Sequence, residues 1–332
     1  MDVNKGYFKG DLLMIIRTDE QNKVVAFWKA VEMNHKVEYS IPLPEDIRAE
    51  RKIPYIQDYN IDHMLCNYYP KSMKEGEKLP TVINIHGGGW LFGHVEDSEQ
   101  YMAEIASMGY AVMGMGYRLI PTTDMQGIVQ DIYTALHWLE NCGPRRGFDL
   151  EHVLITGDSA GAHLSLLVAC IQESEELQRI YGVTPVSFKI GTLGISCPCA
   201  EMDSLFLLPY GSEEEKVKLS EAYRELMLGE MGEDAPWSKA LSFSEFIRFV
   251  PDVKKLPPIF FIGSENESLH YQTLKILKCM DEKQVNYEKM IWKKEDGAHL
   301  MHVFNVEFWS WYESKVTNRK MLEYFRKQTG LN

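Results

Sequence analysis

Gly157-Asp158-Ser159-Ala160-Gly161 joins two stretches of opposite character. Ahead of it, residues 152–156 form a short run rich in apolar and β-branched residues, as in a strand covered on both faces. Behind it, residues 160–173 form an apolar, proline-free stretch of helical length. In that setting Gly-x-Ser-x-Gly is a nucleophile elbow rather than a coincidence. The strand must turn sharply into the helix, and the flanking glycines let backbones approach without a Cβ clash. The serine hydroxyl is then held exposed at the top of a sheet.

About seventy residues upstream, His86-Gly87-Gly88-Gly89-Trp90 follows another predicted strand, residues 81–86. Successive glycines after a strand can aim backbone N–H groups at a developing oxyanion. A phosphate cradle is the rival use of such a loop. Neither Gly-Lys-Ser/Thr nor Gly-x-Gly-x-x-Gly occurs at this site, however. A plain flexible turn would account for neither the preceding strand nor the elbow downstream.

Outward from these motifs, short apolar runs alternate with amphipathic stretches. Strands are predicted at residues 61–69, 81–86, 111–117, 152–156, 190–196, 259–263 and 287–292. Helices are predicted at 20–34, 124–141, 160–173, 269–282 and 305–327, the second ending at Gly143-Pro144. Such alternation implies an α/β fold with a mostly parallel central sheet flanked by helices. About sixty residues between Ser196 and Ile259 interrupt the pattern. An insertion of about 197–256, together with residues 1–60, is expected to form a helical cap over the carboxyl ends of the strands, where open sheets bind ligands. Residues 61–332 then form the catalytic domain. The alternative is an insertion that only thickens the core. Phe206, Tyr210, Phe243 and Phe246 in the insertion either line a pocket or pack the cap down.

His-Gly-Gly-Gly-Trp followed by Gly-Asp-Ser-Ala-Gly resembles the hormone-sensitive-lipase-like branch of the α/β-hydrolases. The resemblance runs from about Ile61 to the C-terminus and includes Tyr117-Arg118-Leu119, Asp131 and Trp138-Leu139. It implies an α/β-hydrolase fold and a carboxylic ester hydrolase with a Ser–acid–His triad. Carried over, the oxyanion donors are Gly88, Gly89 and Ala160, with Gly87 shaping the turn and His86 ordering the loop. Trp90 and Asp158 are expected on the substrate-binding surface. Three places depart from the family pattern. Ile120-Pro121-Thr122 and Ala162-His163 touch packing and substrate fit, and Glu267-Ser268-Leu269 touches the triad itself.

In this fold the order is Ser, acid, His. Anchoring on Leu269 puts Glu267 at the acid position, with Glu265 as second choice. Glutamate can serve, because the acid's role is to orient and charge-stabilise the imidazole. His302-Val303-Phe304 matches the family's His-Gly-Phe, so His302 is preferred over His299. His163 lies on the elbow helix and should face away from the serine.

The 332 residues carry 48 acidic and 35 basic side chains, a net charge of −13. No basic stripe fits nucleic acid, and the acidity opposes docking on an anionic membrane. No run is long enough to span a bilayer, and no signal peptide is read at residues 1–16. The six scattered cysteines suggest a reducing, cytoplasmic setting. No cofactor is expected, and no metal. His299-x-x-His302 has no second ligand pair, and Cys197-Pro198-Cys199 lacks the spacing and partner pair of structural zinc sites. The expected partner is a small-molecule ester, on short acyl groups of small alcohols or carbohydrates; a homodimer is compatible with the sequence. Two other readings stay open. Ser159 to Leu164 also resembles the elbow of kynurenine-formamidase-like hydrolases, which implies an arylformamidase-like amidohydrolase. The gibberellin receptors put a non-catalytic ligand binder on the same scaffold.

Overall fold

A computed structural model describes residues 18–34, 41–202 and 212–331. Its strands are β1 (Ile47–Pro54), β2 (Met64–Pro70), β3 (Leu79–Ile85), β4 (Ala111–Met115), β5 (Phe148–Asp158), β6 (Thr192–Ser196), β7 (Ile259–Ser264) and β8 (Tyr287–Trp292). They form one sheet in the order β1-β2-β4-β3-β5-β6-β7-β8. Pairing is parallel from β4 through β3 to β8, and antiparallel only where β2 meets β1 and β4. This is the mostly parallel sheet expected from the alternation of strands and helices.

The helices are α1 (Asp19–Asn34), α2 (Glu99–Ser107), α3 (Met125–Arg146), α4 (Ala160–Gln172), α5 (Glu175–Tyr181), α6 (Glu213–Leu228), α7 (Phe243–Phe246), α8 (His270–Lys283), α9 (Phe304–Glu307) and α10 (Tyr312–Thr329). They cover both faces of the sheet. Adjacent residues of one strand feed opposite cores, as the two-residue period of a strand demands. Val82 and Leu154 pack with α2 and α10, while Ile83 and Ile155 pack with α3 and α4. Every residue of α4 from Ala160 to Ile171 is buried. That explains why its sequence is apolar all round rather than striped.

Three expectations change, and a fourth point left open is decided. Residues 1–60 are not all cap: Ile47–Pro54 pairs antiparallel with β2 as the edge of the sheet. Its run Ile-Arg-Ala-Glu-Arg-Lys-Ile-Pro hides the strand signal because only Ile47 is buried. Charged side chains are what a solvent-facing edge carries to resist pairing with other chains. Second, α3 runs through Gly143-Pro144 and stops at Gly147, which takes the left-handed conformation (φ 94°). Pro144 in the last turn forfeits only one helical hydrogen bond, and Gly147 supplies the C-cap. Third, the C-terminal helix expected over 305–327 is broken into α9 and α10. Phe308 leaves helical geometry at φ −109°, ψ 46°, and stacks on Trp311 with ring centroids 4.2 Å apart. Fourth, Phe243 and Phe246 are fully buried and edge to face at 5.4 Å, so they pack the insertion onto the core. Phe206 and Tyr210 lie outside the described residues, as do residues 1–17.

Strand order sets the layout of everything that follows. β3 and β5 are neighbours in the middle of the sheet, with Ile85 registered against Gly157. The two glycine motifs therefore emerge side by side at the carboxyl edge. β6, β7 and β8 follow in order; Cys197 directly follows β6, Glu267 lies in the turn after β7, and His302 lies on the longer loop between β8 and α9. Among the described residues, no helix is long and apolar enough to cross a membrane.

Candidate active site

At the β5–α4 junction Ser159 adopts φ 50°, ψ −114°, a left-handed backbone that costs a non-glycine residue energy. Its N–H donates to the Ser196 carbonyl at 3.0 Å, and its carbonyl accepts from Cys199 N–H at 3.1 Å. Those bonds hold the strained turn against β6. Gly161 is required by close approach: a Cβ there would land on the backbone carbonyls of Ile85 and His86.

The loop 86–90 is fastened through its carbonyls. Tyr117 Oη donates to His86 O at 2.7 Å, and His86 Nδ1 donates to Gly87 O at 2.8 Å. The N–H groups of Leu91 and Phe92 donate to Gly88 O at 3.1 and 3.0 Å. The Tyr223 hydroxyl of α6 donates to Gly89 O, and Ile120 N–H donates to Trp90 O at 2.9 Å. In a planar trans peptide the C=O and the next N–H point in opposite directions. Anchoring the Gly87 and Gly88 carbonyls therefore turns the Gly88 and Gly89 amides the other way, and both residues line the cleft. Gly87 N–H is engaged with Asp158 Oδ1 at 3.2 Å, in keeping with a turn-shaping role. Gly89 has φ 58°, and a Cβ on it would collide with the Trp28 ring of α1.

His302 Nε2 lies 3.0 Å from Ser159 Oγ, and His302 Nδ1 lies 2.9 Å from Glu267 Oε2. The same Glu267 oxygen accepts Leu269 N–H at 2.8 Å. The Glu267 carboxylate is completely buried, whereas the imidazole is partly open to the cleft. The two runners-up sit elsewhere. Glu265 is tied to Lys293 Nζ at 2.8 Å and Lys294 N–H at 3.1 Å, and those bonds hold its carboxyl below the usual range. His299 is half-exposed, 3.6 Å from Glu313 and 4.9 Å from the Trp311 ring.

A profile of the BD-FAE family matches residues 67–276, more than half of the chain. The chain belongs to the BD-FAE family. The mostly parallel sheet agrees with the α/β-hydrolase fold that the two glycine motifs suggested. The chain is similar to esterase B from Lactobacillus rhamnosis, solved with a C4-C4 SN3 tributyrin phosphonate. Identity is 40%, coverage is 94% of this chain and 96% of that one, and the TM-score is 0.84. Carboxylesterase NlhH from Mycobacterium tuberculosis is 30% identical over 150 residues, covering 45% of this chain and 44% of that protein. The match thus spans less than half the length of that curated relative. An esterase of the bacterial hormone-sensitive lipase family, 19% identical, covers 94% of this chain and 99% of its own with a TM-score of 0.63, a likeness of fold.

In this BD-FAE chain the cleft over Ser159 encloses about 680 Å³. Phe27, Trp28 and Phe92 line it, as do Leu269, Phe308 and Trp309. Trp90, expected on the substrate surface, is a correction. Its ring is fully buried, edge-on to His163 at 5.2 Å and to Tyr223 at 6.0 Å, so it packs the loop onto the core. Asp158 does line the cleft while tethering Gly87. Burial and the nearby negative charge of Glu307 push its carboxyl up to about 7. His163 is a core residue: Nε2 donates to Leu241 O at 2.6 Å, and burial lowers its pKa to about 4.

Sequence reading missed Trp28, Tyr223 and Glu307. For Trp28 a signal existed, since Val24, Phe27, Trp28 and Val31 share one helical face. Nothing local to Tyr223 indicates that its hydroxyl reaches Gly89, 134 positions away.

Proposed function

We propose that this chain is a serine carboxylesterase in which Ser159, His302 and Glu267 act together and Gly88, Gly89 and Ala160 supply the oxyanion donors. One observation carries the reading: the unbroken hydrogen-bond chain Ser159 Oγ–His302 Nε2 (3.0 Å) and His302 Nδ1–Glu267 Oε2 (2.9 Å), opening into the cleft. Buried and anionic, Glu267 keeps the imidazole proton on Nδ1, so the Nε2 lone pair faces the serine. His302 takes the Ser159 proton as Oγ attacks the ester carbonyl, then returns it to the departing alcohol. Water, activated by the same ring, releases the acid from the acyl-enzyme. Loop amides fixed in advance stabilise the tetrahedral oxyanion, roughly 3 kcal/mol per donor.

The substrates of this reading are short-chain acyl esters of small alcohols or carbohydrates. The apolar side of the cleft supports a small acyl group, and the tributyrin phosphonate on esterase B points the same way. Purified protein is expected to cleave p-nitrophenyl butyrate faster than p-nitrophenyl palmitate. Ser159→Ala should lower kcat by at least about 10³-fold with the fold retained by circular dichroism. Unchanged turnover in that variant overturns the assignment. Faster cleavage of formanilides than of esters would instead identify an amidohydrolase.

A further inference from the structure

Two sequence features that separately fall short of a metal site each contribute one donor to a single cluster. Cys197 comes from Cys197-Pro198-Cys199 and His302 from His299-x-x-His302, with Glu267 between them. Their ligand atoms all lie within 4.8 Å of one another. A second observation points the same way. Glu267 Oε1 is buried and has no hydrogen-bond partner among the described residues, while Oε2 is engaged by His302 and Leu269. Cys197 is itself fully buried and held in a left-handed conformation (φ 43°), with its N–H donated to Ile262 O at 2.9 Å. Its backbone is thus fixed in place beside the acid.

We propose that Cys197, Glu267 and His302 form an inhibitory site for a thiophilic divalent cation such as zinc. Thiolate, carboxylate and imidazole together suit zinc and cadmium rather than magnesium or calcium. Zinc–ligand distances of about 2.0–2.3 Å put donors roughly 3.3–3.8 Å apart. The widest separation, 4.8 Å at most, needs to close by about 1–1.5 Å, and the His302 Nδ1–Glu267 Oε2 pair, now 2.9 Å apart, needs to open slightly. One thiolate and one carboxylate neutralise the dication, which a buried site requires. The fourth position is left for water.

The consequence for hydrolysis follows from the imidazole. A cation bound at Nδ1 displaces the proton held there to Nε2. Nε2 then carries N–H toward Ser159 and has no lone pair to accept the serine proton. The Cys197 thiol releases its own proton to solvent, so binding exchanges one proton for one dication. Ester hydrolysis stops while the cleft stays open to substrate. This consequence rests on the esterase reading; the metal site itself does not.

The test uses the full chain carrying Cys142→Ala and Cys279→Ala, which removes the two half-buried thiols as competing ligands. Zinc chloride should inhibit p-nitrophenyl butyrate hydrolysis, and EDTA should restore it. Adding Cys197→Ala should leave most metal-free activity and raise the zinc concentration for half-inhibition at least tenfold. Cadmium should produce a thiolate charge-transfer band that Cys197→Ala abolishes. Equal zinc sensitivity with and without Cys197 overturns the proposal, as does a cadmium band that survives the substitution. Should the Cys197 variant fail to fold, X-ray absorption of the zinc-loaded parent decides. One sulfur in the first coordination shell supports the site, and an all-nitrogen/oxygen shell refutes it. If no ester is cleaved at all, the cadmium and absorption measurements still stand, so failure of the esterase reading is distinguishable.

Discussion

The floor of the cleft and its roof are built by different means. The floor is made of two short stretches, residues 86–92 and 157–161, that leave adjacent parallel strands in register. Each is shaped by its own glycines; the elbow is bonded to β6, and the loop to its own amides, to Asp158 of β5, to Tyr117 and Ile120, and at Gly89 to Tyr223 of the roof. The roof joins distant parts of the chain. α1 packs on α6, Gln21 Nε2 donates to Glu225 Oε2 at 2.9 Å across 204 positions, and Trp28 closes over Gly89. Backbone geometry thus governs the floor, where one added atom has nowhere to go. Aromatic area and a few hydroxyls govern the roof, where losses are partial and can relax.

The largest effect expected from this contrast is on the floor. Gly161→Ala should destabilise the protein by about 3 kcal/mol or more, because its Cβ meets two backbone carbonyls that cannot move without parting β3 from β5. Thermal unfolding checks it, and a melting temperature equal to wild type would break the contrast.

Asp158 sharpens it next. Burial lifts its carboxyl from an ordinary value of 3.8 to about 7, so the folded protein binds this proton more tightly than the unfolded chain. Stability is therefore lost as pH rises through that interval. Asp158→Asn keeps an oxygen for Gly87 N–H without the buried charge. It should be more stable than wild type at pH 8, by on the order of 2 kcal/mol, with the difference vanishing below pH 4. Urea titrations at the two pH values measure this. A constant difference across pH would assign the shift to something other than Asp158.

On the roof, Tyr223→Phe frees the Gly89 carbonyl without moving the ring. A loosened loop should lower kcat about tenfold and leave KM within about twofold. A change in KM alone would make α6 a wall rather than a brace. The smallest effects belong to the pair outside the cleft. Glu265→Gln and His299→Ala should each stay within about twofold of wild-type kcat/KM, since one faces Lys293 and the other Trp311. A large loss from either would redraw the active site.

Much of this floor was legible from residues alone, since a strand followed by Gly-x-Ser-x-Gly admits few backbone paths. The interior strands were equally legible, because strands covered on both faces are written as continuous apolar runs. β1 was not, since an edge strand wears the charges of a loop. Nor was Trp90: next to three glycines an indole reads as a substrate contact, yet its surroundings are His163 and Tyr223, from α4 and α6.

Local backbone restriction is what the amino-acid sequence could determine unaided: the elbow at Ser159, the glycine loop, the alternation that builds a parallel sheet. Each depends on residues only a few positions apart. That Glu267 and His302, the pair preferred on the family resemblance, align with that serine in one hydrogen-bond chain, where Cys197 comes to rest and what covers Gly89 were decided only in three dimensions. Those outcomes depend on how far apart the ends of β6, β7 and β8 lie, and on helices brought together by burial of their apolar faces. Such distances are fixed by packing across the whole sheet, and no short stretch of chain records them.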